Sequence, residues 1–184
     1  MEFGQNLRAI VLKPLLKMLI SLNIDADHLT VLGLVLGCLF YPLYYYARAW
    51  AFVFLALHVA LDGLDGPLAR ACNKASRRGS FTDTFCDQLV VGITTMTLMD
   101  AGVVAVIPGV IYFFSYTVVV GFAMVRNALS IPYTWLVRPR FVVYLWMLIE
   151  SYWLTGTINY ILWGCNVLLG YKIYTGFRKI RKRL

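Results

Sequence analysis

The chain has 184 residues, of which 60% are hydrophobic and 14% charged, and its formal net charge is +8. This composition excludes an ordinary soluble domain and indicates a single all-α membrane domain over residues 1–184, long enough for about six spanning helices. The positive charge does not indicate nucleic acid as a partner, because the Lys and Arg residues cluster in short loops and tails beside apolar runs. Anionic membrane lipid is the expected partner of such clusters.

The first predicted element is an amphipathic helix over residues of about 5–22. Lys13 and Lys17 lie on one side of it and apolar residues recur at helical spacing on the other. Basic residues persist through the segment and no small-residue cleavage site follows, which argues against a signal peptide. We expect this helix to lie on the membrane surface. Its apolar side carries Leu7, Val11, Leu15, Met18 and Leu22.

Six apolar stretches follow and predict six transmembrane helices between residues of about 29 and 175, before a basic tail at 176–184. The tyrosines and Trp50 at the end of the first stretch are typical of an interfacial aromatic belt. The stretches cover about 29–47, 51 to the polar segment that begins at Asp62, 79–100, 103–125, 141–154 and 159–174.

The distribution of basic residues predicts the orientation of these spans. With a cytoplasmic N-terminus, six spans place every Lys and Arg of the chain except Arg48 on the cytoplasmic side. Both termini and the loop between the second and third spans are then expected to face the cytoplasm.

Four aspartates interrupt the second and third spans. Asp62 and Asp65 are three residues apart and Asp83 and Asp87 four apart, so each pair lies along one face of its helix. A short basic segment between the pairs predicts a tight turn joining antiparallel helices. At about 1.5 Å per residue, both pairs lie about 6–12 Å inside the membrane boundary, where they can converge.

Carboxylates this close together would repel one another unless a divalent cation neutralised them. Ligand sets made only of oxygen favour Mg²⁺ or Mn²⁺. Four carboxylates can hold two such ions and leave one group to act as a base, which are the requirements of phosphoryl transfer. We therefore predict metal ligands at Asp62, Asp65, Asp83 and Asp87.

Neighbouring residues are suited to a nucleotide diphosphate. Gly66 and Gly79 would let a nucleotide approach the backbone closely, and Arg70 can bind a phosphate oxygen in a bidentate contact. His28 and His58, in contrast, are interpreted as structural or interfacial residues, and the four cysteines, which lack paired metal-ligand spacing, as core residues.

The pattern D-x2-D-G-x2-A-R-x8-G-x3-D-x3-D resembles the signature of the CDP-alcohol phosphotransferase family. The resemblance implies a CDP-linked donor whose diphosphate binds two metal ions held by the four aspartates. It implies that Asp87 deprotonates the acceptor hydroxyl, which attacks the distal phosphorus so that CMP leaves, and that Gly66, Ala69, Arg70 and Gly79 form the cytidine and phosphate site. The matching residues are Asp62, Asp65, Gly66, Ala69, Arg70, Gly79, Asp83 and Asp87.

The same resemblance implies a lipid-synthesising enzyme of a prokaryotic cytoplasmic membrane. Short prokaryotic members generally transfer the phosphatidyl group of CDP-diacylglycerol, or of an archaeal ether equivalent, to a small alcohol. Members commonly have six transmembrane helices after a surface helix and form homodimers.

Three arginines are candidates for the acceptor site. Arg126, Arg138 and Arg140 flank the predicted fourth and fifth spans and can clamp a phosphorylated acceptor such as glycerol 3-phosphate or inositol phosphate. The alternative is a positive-inside cluster that contacts lipid headgroups. Further candidate hydroxyl ligands are Asn127, Ser130 and Glu150.

Other interpretations of the aspartates make different predictions. As helix-end charges they would pair with nearby basic residues of the loop. A membrane prenyltransferase would release pyrophosphate, but it typically carries two distant aspartate-rich motifs. A cation transporter would carry acids through successive depths of the membrane. The basic residues available for pairing are Arg70, Lys74, Arg77 and Arg78.

Overall fold

The computed structural model describes residues 2–129, 131 and 138–183, with side chains from Leu12 onward. Every regular element in these residues is an α-helix, which confirms the all-α prediction, and the first predicted span consists of two helices. The eight helices of the described residues are α1 (Glu2–Ser21), α2 (Ala26–Cys38), α3 (Phe40–Tyr46), α4 (Arg48–Ala71), α5 (Arg77–Asp100), α6 (Val106–Ala128), α7 (Pro139–Tyr152) and α8 (Ile158–Arg181).

Three segments of the described chain are long and apolar enough to cross a membrane by length and composition. They are Ala26–Tyr46, which joins α2 and α3, together with α4 and α6. Large apolar side chains on the outer face of α2, including Val31, Leu32 and Val35, are exposed. An apolar outer face is what lipid as the surrounding solvent requires, so the chain has the character of an integral membrane protein.

The chain divides into two compact units, and the first covers Met1–Val90. In this unit α4 packs along α2 and α3. Phe40 lies at the α3–α4 contact, with its ring centroid 5.5 Å from that of Tyr44 and 5.7 Å from that of Phe52. These buried rings fill the end of the unit away from the α4–α5 turn.

Helix α1 packs on the first unit through a face that its sequence pattern did not select. Leu16 and Leu19 are buried against Leu29 and Leu68, whereas Leu15 and Met18 of the predicted apolar side are exposed. Periodicity identifies an apolar stripe, but it does not say which of two adjacent stripes a neighbouring helix covers. The predicted contributions of Leu7 and Val11 lie outside the described side chains, and the surface location of α1 stays a prediction.

The turn between α4 and α5 is closed by backbone hydrogen bonds from Asn73 to the carbonyl of Arg70 and from Lys74 to that of Ala69. Asn73 has a φ of 54°, a left-handed conformation that asparagine tolerates. The Lys74 Nζ lies 2.7 Å from Oδ1 of Asp25, which precedes α2. The turn between α4 and α5 is therefore tied to the start of α2.

The second unit covers Val91–Leu184, and in it α6 and α7 both pack on α8. Asn166 donates a hydrogen bond of 3.1 Å to the carbonyl of Pro108, which links α8 to α6. Helix α8 continues to Arg181, beyond its expected end near residue 174, so most of the basic tail is helical. Lys and Arg favour helices and are stabilised near a helix C-terminus, which explains the longer helix.

Candidate active site

The four predicted aspartates lie together in the first unit. One carboxylate oxygen each from Asp62, Asp83 and Asp87 lies within 4.8 Å of the others. The carboxyl group of Asp65 lies beside that of Asp83. Asp65 and Asp87 are only 7% and 9% exposed, whereas Asp62 and Asp83 are half-buried. The helical spacing therefore produces the expected convergence of α4 and α5.

This cluster has the chemistry of a site for hard divalent cations. All its close ligand atoms are carboxylate oxygens, the donors that Mg²⁺ and Mn²⁺ prefer. Carboxylates held this close repel one another unless their charge is neutralised, and a divalent cation would do so. The residues present thus fit the predicted metal site, while the role of each aspartate stays a prediction.

Helix α2 supplies a partner for Asp65 that the sequence did not suggest. The Thr30 hydroxyl donates a 3.2 Å hydrogen bond to Oδ2 of Asp65. The backbone N–H of Gly66 donates to the other carboxylate oxygen. Asp65 is therefore held at both oxygens before any ligand binds. The signal in the sequence was the helical spacing of Thr30 with Gly33 and Gly37, which places small residues on one face of α2.

The predicted nucleotide residues lie where α4 ends and α5 begins. A Cβ at Gly66 would lie 3.5 Å from Nη1 of Arg70, so the guanidinium folds over the glycine. Gly79 donates its backbone N–H to the Ser76 hydroxyl at 3.0 Å, in the manner of a helix N-cap. Arg70 is exposed and Ala69 is half-buried. The four residues flank the aspartates, and their nucleotide-binding role stays a prediction.

His58 is the functional candidate that the sequence interpretation missed. Its side chain is 4% exposed, with Nδ1 3.1 Å from the carbonyl oxygen of Gly33 and Nε2 3.7 Å from Oδ1 of Asp87. The available signal was its position one helical turn before Asp62. His28 is structural as interpreted, since its Nδ1 accepts the backbone N–H of Asp25 ahead of α2.

One of the loop bases proposed to pair with the aspartates has a different partner. Lys74 pairs with Asp25, outside the cluster. Among the described residues, His58 of α4 also contacts the cluster, with its Nε2 3.7 Å from Oδ1 of Asp87. The carboxylates are gathered mainly against one another.

The acceptor candidates belong to the second unit. Arg126 in the last turn of α6 and Arg140 in the first turn of α7 are buried, whereas Arg138 is exposed just before α7. The guanidinium carbon of Arg140 lies 4.7 Å from the ring centre of Phe141. Asn127 is exposed, and the prediction for Ser130 lies outside the described residues.

Glu150 has a structural role. Its carboxylate accepts the backbone N–H groups of Gly156, Thr157 and Ile158 and the Thr157 hydroxyl, the last at 2.8 Å. These donors stand at the N-terminus of α8, where a carboxylate satisfies otherwise unpaired backbone groups and the helix dipole. Glu150 therefore caps α8 instead of facing an acceptor alcohol.

Comparison with known sequences agrees with the motif. The model of the CDP-alcohol phosphatidyltransferase family matches residues 23–171. The chain belongs to this family. A curated relative, the archaetidylinositol phosphate synthase of Pyrococcus horikoshii, is 40% identical over 74 residues. That match spans 40% of this chain and 39% of the relative.

Solved structures share the fold over nearly the whole chain. The phosphatidylinositol phosphate synthase of Mycobacterium tuberculosis with CDP-DAG bound superimposes with a TM-score of 0.75 at 17% identity, covering 91% of this chain and 92% of that one. The same enzyme in complex with manganese and citrate gives a TM-score of 0.75 at 17% identity, with coverages of 91% and 87%.

Proposed function

We propose that this family member transfers the phosphatidyl group of CDP-diacylglycerol, or of its ether-lipid equivalent, to a phosphorylated polyol and releases CMP. The observation that carries the proposal is the clustering of Asp62, Asp83 and Asp87, with Asp65 on Asp83, at the positions of the family signature. Inositol phosphate is the first acceptor to test, because the two named relatives are an archaetidylinositol phosphate synthase and a phosphatidylinositol phosphate synthase; glycerol 3-phosphate is the second.

The four aspartates are the proposed ligands of two Mg²⁺ or Mn²⁺ ions. The cations would offset the negative charge of the donor diphosphate, which otherwise opposes attack by an oxygen nucleophile. Two half-buried carboxylates, Asp62 and Asp83, are accessible to such a donor. The more deeply buried Asp65 is held by Thr30 and Gly66, which keeps its oxygens oriented.

Asp87 is the proposed general base. It accepts the proton of the acceptor hydroxyl as the oxygen attacks the phosphorus that carries the diacylglycerol. The bond from this phosphorus to the oxygen that bridges to CMP breaks, and its electron pair leaves with CMP. Arg70 holds a phosphate oxygen, Ala69 borders the cytidine, and Gly66 and Gly79 leave space for the nucleotide.

Arg126, Arg138 and Arg140 are the proposed ligands of the acceptor phosphate. Arginine presents a planar fork of donors that matches phosphate and stays charged when buried, as two of these side chains are. A lipid headgroup offers the same phosphate chemistry, so a response to acceptor concentration separates the two roles. Replacing Arg140 with Gln should raise the KM for a phosphorylated acceptor more than the KM for the donor.

The proposed membrane arrangement has six spans after a surface helix, with both termini and the site facing the cytoplasm of a prokaryotic cell. Helices α5 and α8, each of 24 residues, would reach about 36 Å and cross a hydrocarbon core of about 30 Å. The 14-residue α7 is short for a span and would need local bilayer thinning. The distribution of basic residues supports the orientation. A homodimer follows from the family resemblance.

The test uses the purified protein in liposomes with labelled CDP-diacylglycerol or its ether equivalent and a panel of alcohols. We expect CMP release with a single acceptor, dependence on Mg²⁺ or Mn²⁺, and loss of activity on chelation. Release of pyrophosphate from a prenyl donor would favour a prenyltransferase. Cation flux without CMP release would favour a transporter.

A further inference from the structure

We propose that His58 is a positioning residue that holds the carboxylate of Asp87, the proposed base, from an anchor on helix α2. The proposal rests on the proposed function of the aspartate cluster. It gives a role to a buried histidine that is not part of the family signature and lies one helical turn before Asp62, the first aspartate of that signature.

The geometry begins with the Gly33 carbonyl. A carbonyl oxygen only accepts hydrogen bonds, so the His58 Nδ1 at 3.1 Å carries the proton and donates it. This bond fixes the plane of the imidazole. The opposite ring atom, Nε2, then faces Oδ1 of Asp87 at 3.7 Å. One ring thus connects α2, α4 and α5 within the first unit.

Small residues on α2 make this connection possible. A Cβ at Gly33 would lie 3.4 Å from Nδ1 of His58 and 3.7 Å from Cβ of Leu61. One turn further, a Cβ at Gly37 would overlap the side chain of Val90, with Cγ1 at 2.8 Å. The two glycines let α2 approach closely enough for a backbone carbonyl to reach the histidine.

A general base needs this kind of support. Asp87 lies beside the carboxylates of Asp62 and Asp83, whose like charges would turn it away from a fixed direction. A base acts only while it is held within hydrogen-bond reach of the proton it removes. The separation of 3.7 Å between Nε2 and Oδ1 is longer than a hydrogen bond, so the anchored imidazole limits the directions open to the carboxylate by packing against it.

Helix α2 also supports the carboxylate of Asp65, in this case by a direct hydrogen bond. Thr30, one turn before Gly33 on α2, donates directly to the Asp65 carboxylate. The same face of α2 therefore supports one aspartate of α4 directly and one aspartate of α5 through His58. Groups behind metal-binding carboxylates commonly change metal affinity and activity when they are removed.

Two substitutions of His58 test its contact with Gly33 and its contact with Asp87 separately. His58→Asn keeps a polar group near the Nδ1 position, facing Gly33, but is too short to reach Asp87. His58→Gln places an amide nitrogen near the Nε2 position, facing Asp87. His58→Ala removes both contacts. Leu55→Ala is the packing control, because Leu55 is buried on α4 one turn earlier.

The readouts are kcat and KM for CMP release at saturating Mn²⁺, and Mn²⁺ affinity by electron paramagnetic resonance. We expect His58→Asn and His58→Ala to lower kcat and Mn²⁺ affinity by about tenfold each, with the donor KM changed less than about twofold. His58→Gln should restore both quantities to within about threefold of the wild type. Leu55→Ala should lower the melting temperature without changing Mn²⁺ affinity.

Two results would overturn the positioning role: wild-type kcat and Mn²⁺ affinity in His58→Asn, or equal losses in His58→Gln and His58→Ala. The proposed function can fail separately. If the wild type releases no CMP but Mn²⁺ affinity falls in His58→Asn and recovers in His58→Gln, the positioning role stands and the reaction is rejected. If the wild type releases CMP and His58→Asn is unaltered in both readouts, only the positioning role is rejected.

Discussion

Two regions of this protein bury carboxylates, but one surrounds its carboxylate with hydrogen-bond donors and the other places several carboxylates side by side. Glu150 is surrounded by backbone N–H groups and a hydroxyl at the start of α8, all of which donate to it. The aspartates of α4 and α5 are gathered against one another. A carboxylate with local donors stabilises the fold, whereas like charges held together oppose folding and indicate a ligand.

The two histidines show the same difference. His28 accepts a backbone N–H three residues away, a local contact that shapes the start of α2. His58 joins a carbonyl 25 residues earlier to an aspartate on another helix. Burial by itself therefore does not identify a functional side chain, because the identity and origin of its partners decide its role.

The largest expected effect tests the aspartate region. Asp87→Asn should reduce CMP release by about 10²–10⁴-fold, the usual contribution of a general base. The metal-free protein should melt at a temperature no lower than that of the wild type, because one of several like charges is removed. Radiolabelled turnover and thermal unfolding measure the two quantities. Near wild-type turnover would remove Asp87 as the base.

The matching change in the other region should affect stability instead. Glu150→Gln turns an amide N–H₂ group toward backbone donors, and should lower the free energy of unfolding by about 1–3 kcal/mol while turnover per folded molecule stays unchanged. Asp27→Asn is the control, since Asp27 is an exposed acid in the first turn of α2 and should cost less than about 1 kcal/mol. Equal losses in both variants would contradict the capping role.

A third change tests how closely α2 supports the aspartate region. Gly37→Ala introduces a methyl group that overlaps Val90 and should cost about 1–3 kcal/mol of stability. Adding Val90→Ala should recover part of this loss, so that the double variant is more stable than the sum of the single effects predicts. Thermal unfolding of the wild type, the two single variants and the double variant completes this double-mutant cycle. Additive losses would mean that the two positions do not touch.

The smallest expected effect concerns the exposed Asp25–Lys74 pair. The hydrogen bond from Lys74 lowers the pKa of Asp25 below 3.8, and the same bond raises the pKa of Lys74 above 10.5. The stabilisation is therefore complete between these values, and is lost as the pH falls through the lowered pKa or rises through the raised one.

Lys74→Ala should lower the melting temperature slightly at neutral pH, and the difference should disappear in strong acid and at about 1 M salt. Lys172→Ala is the control, because it removes a lysine of the second unit that is not part of the Asp25–Lys74 pair. A difference that persisted in acid would show that Lys74 contributes through packing.

The sequence alone determined the all-α class and the convergence of Asp62, Asp65, Asp83 and Asp87. These features depend on local regularities, because apolar runs predict helices and separations of three or four residues place side chains on one face. The short turn between α4 and α5 then keeps the two pairs of aspartates close in space.

Tertiary structure decided which of several plausible side chains are buried and what they contact. Leu16 and Leu19, not Leu15 and Met18, face the first unit. His58 meets Gly33 and Asp87 through contacts 25 and 29 residues away along the chain. Local periodicity contains no information about such partners, because they depend on how closely α2 approaches α4, which the glycines permit but do not specify.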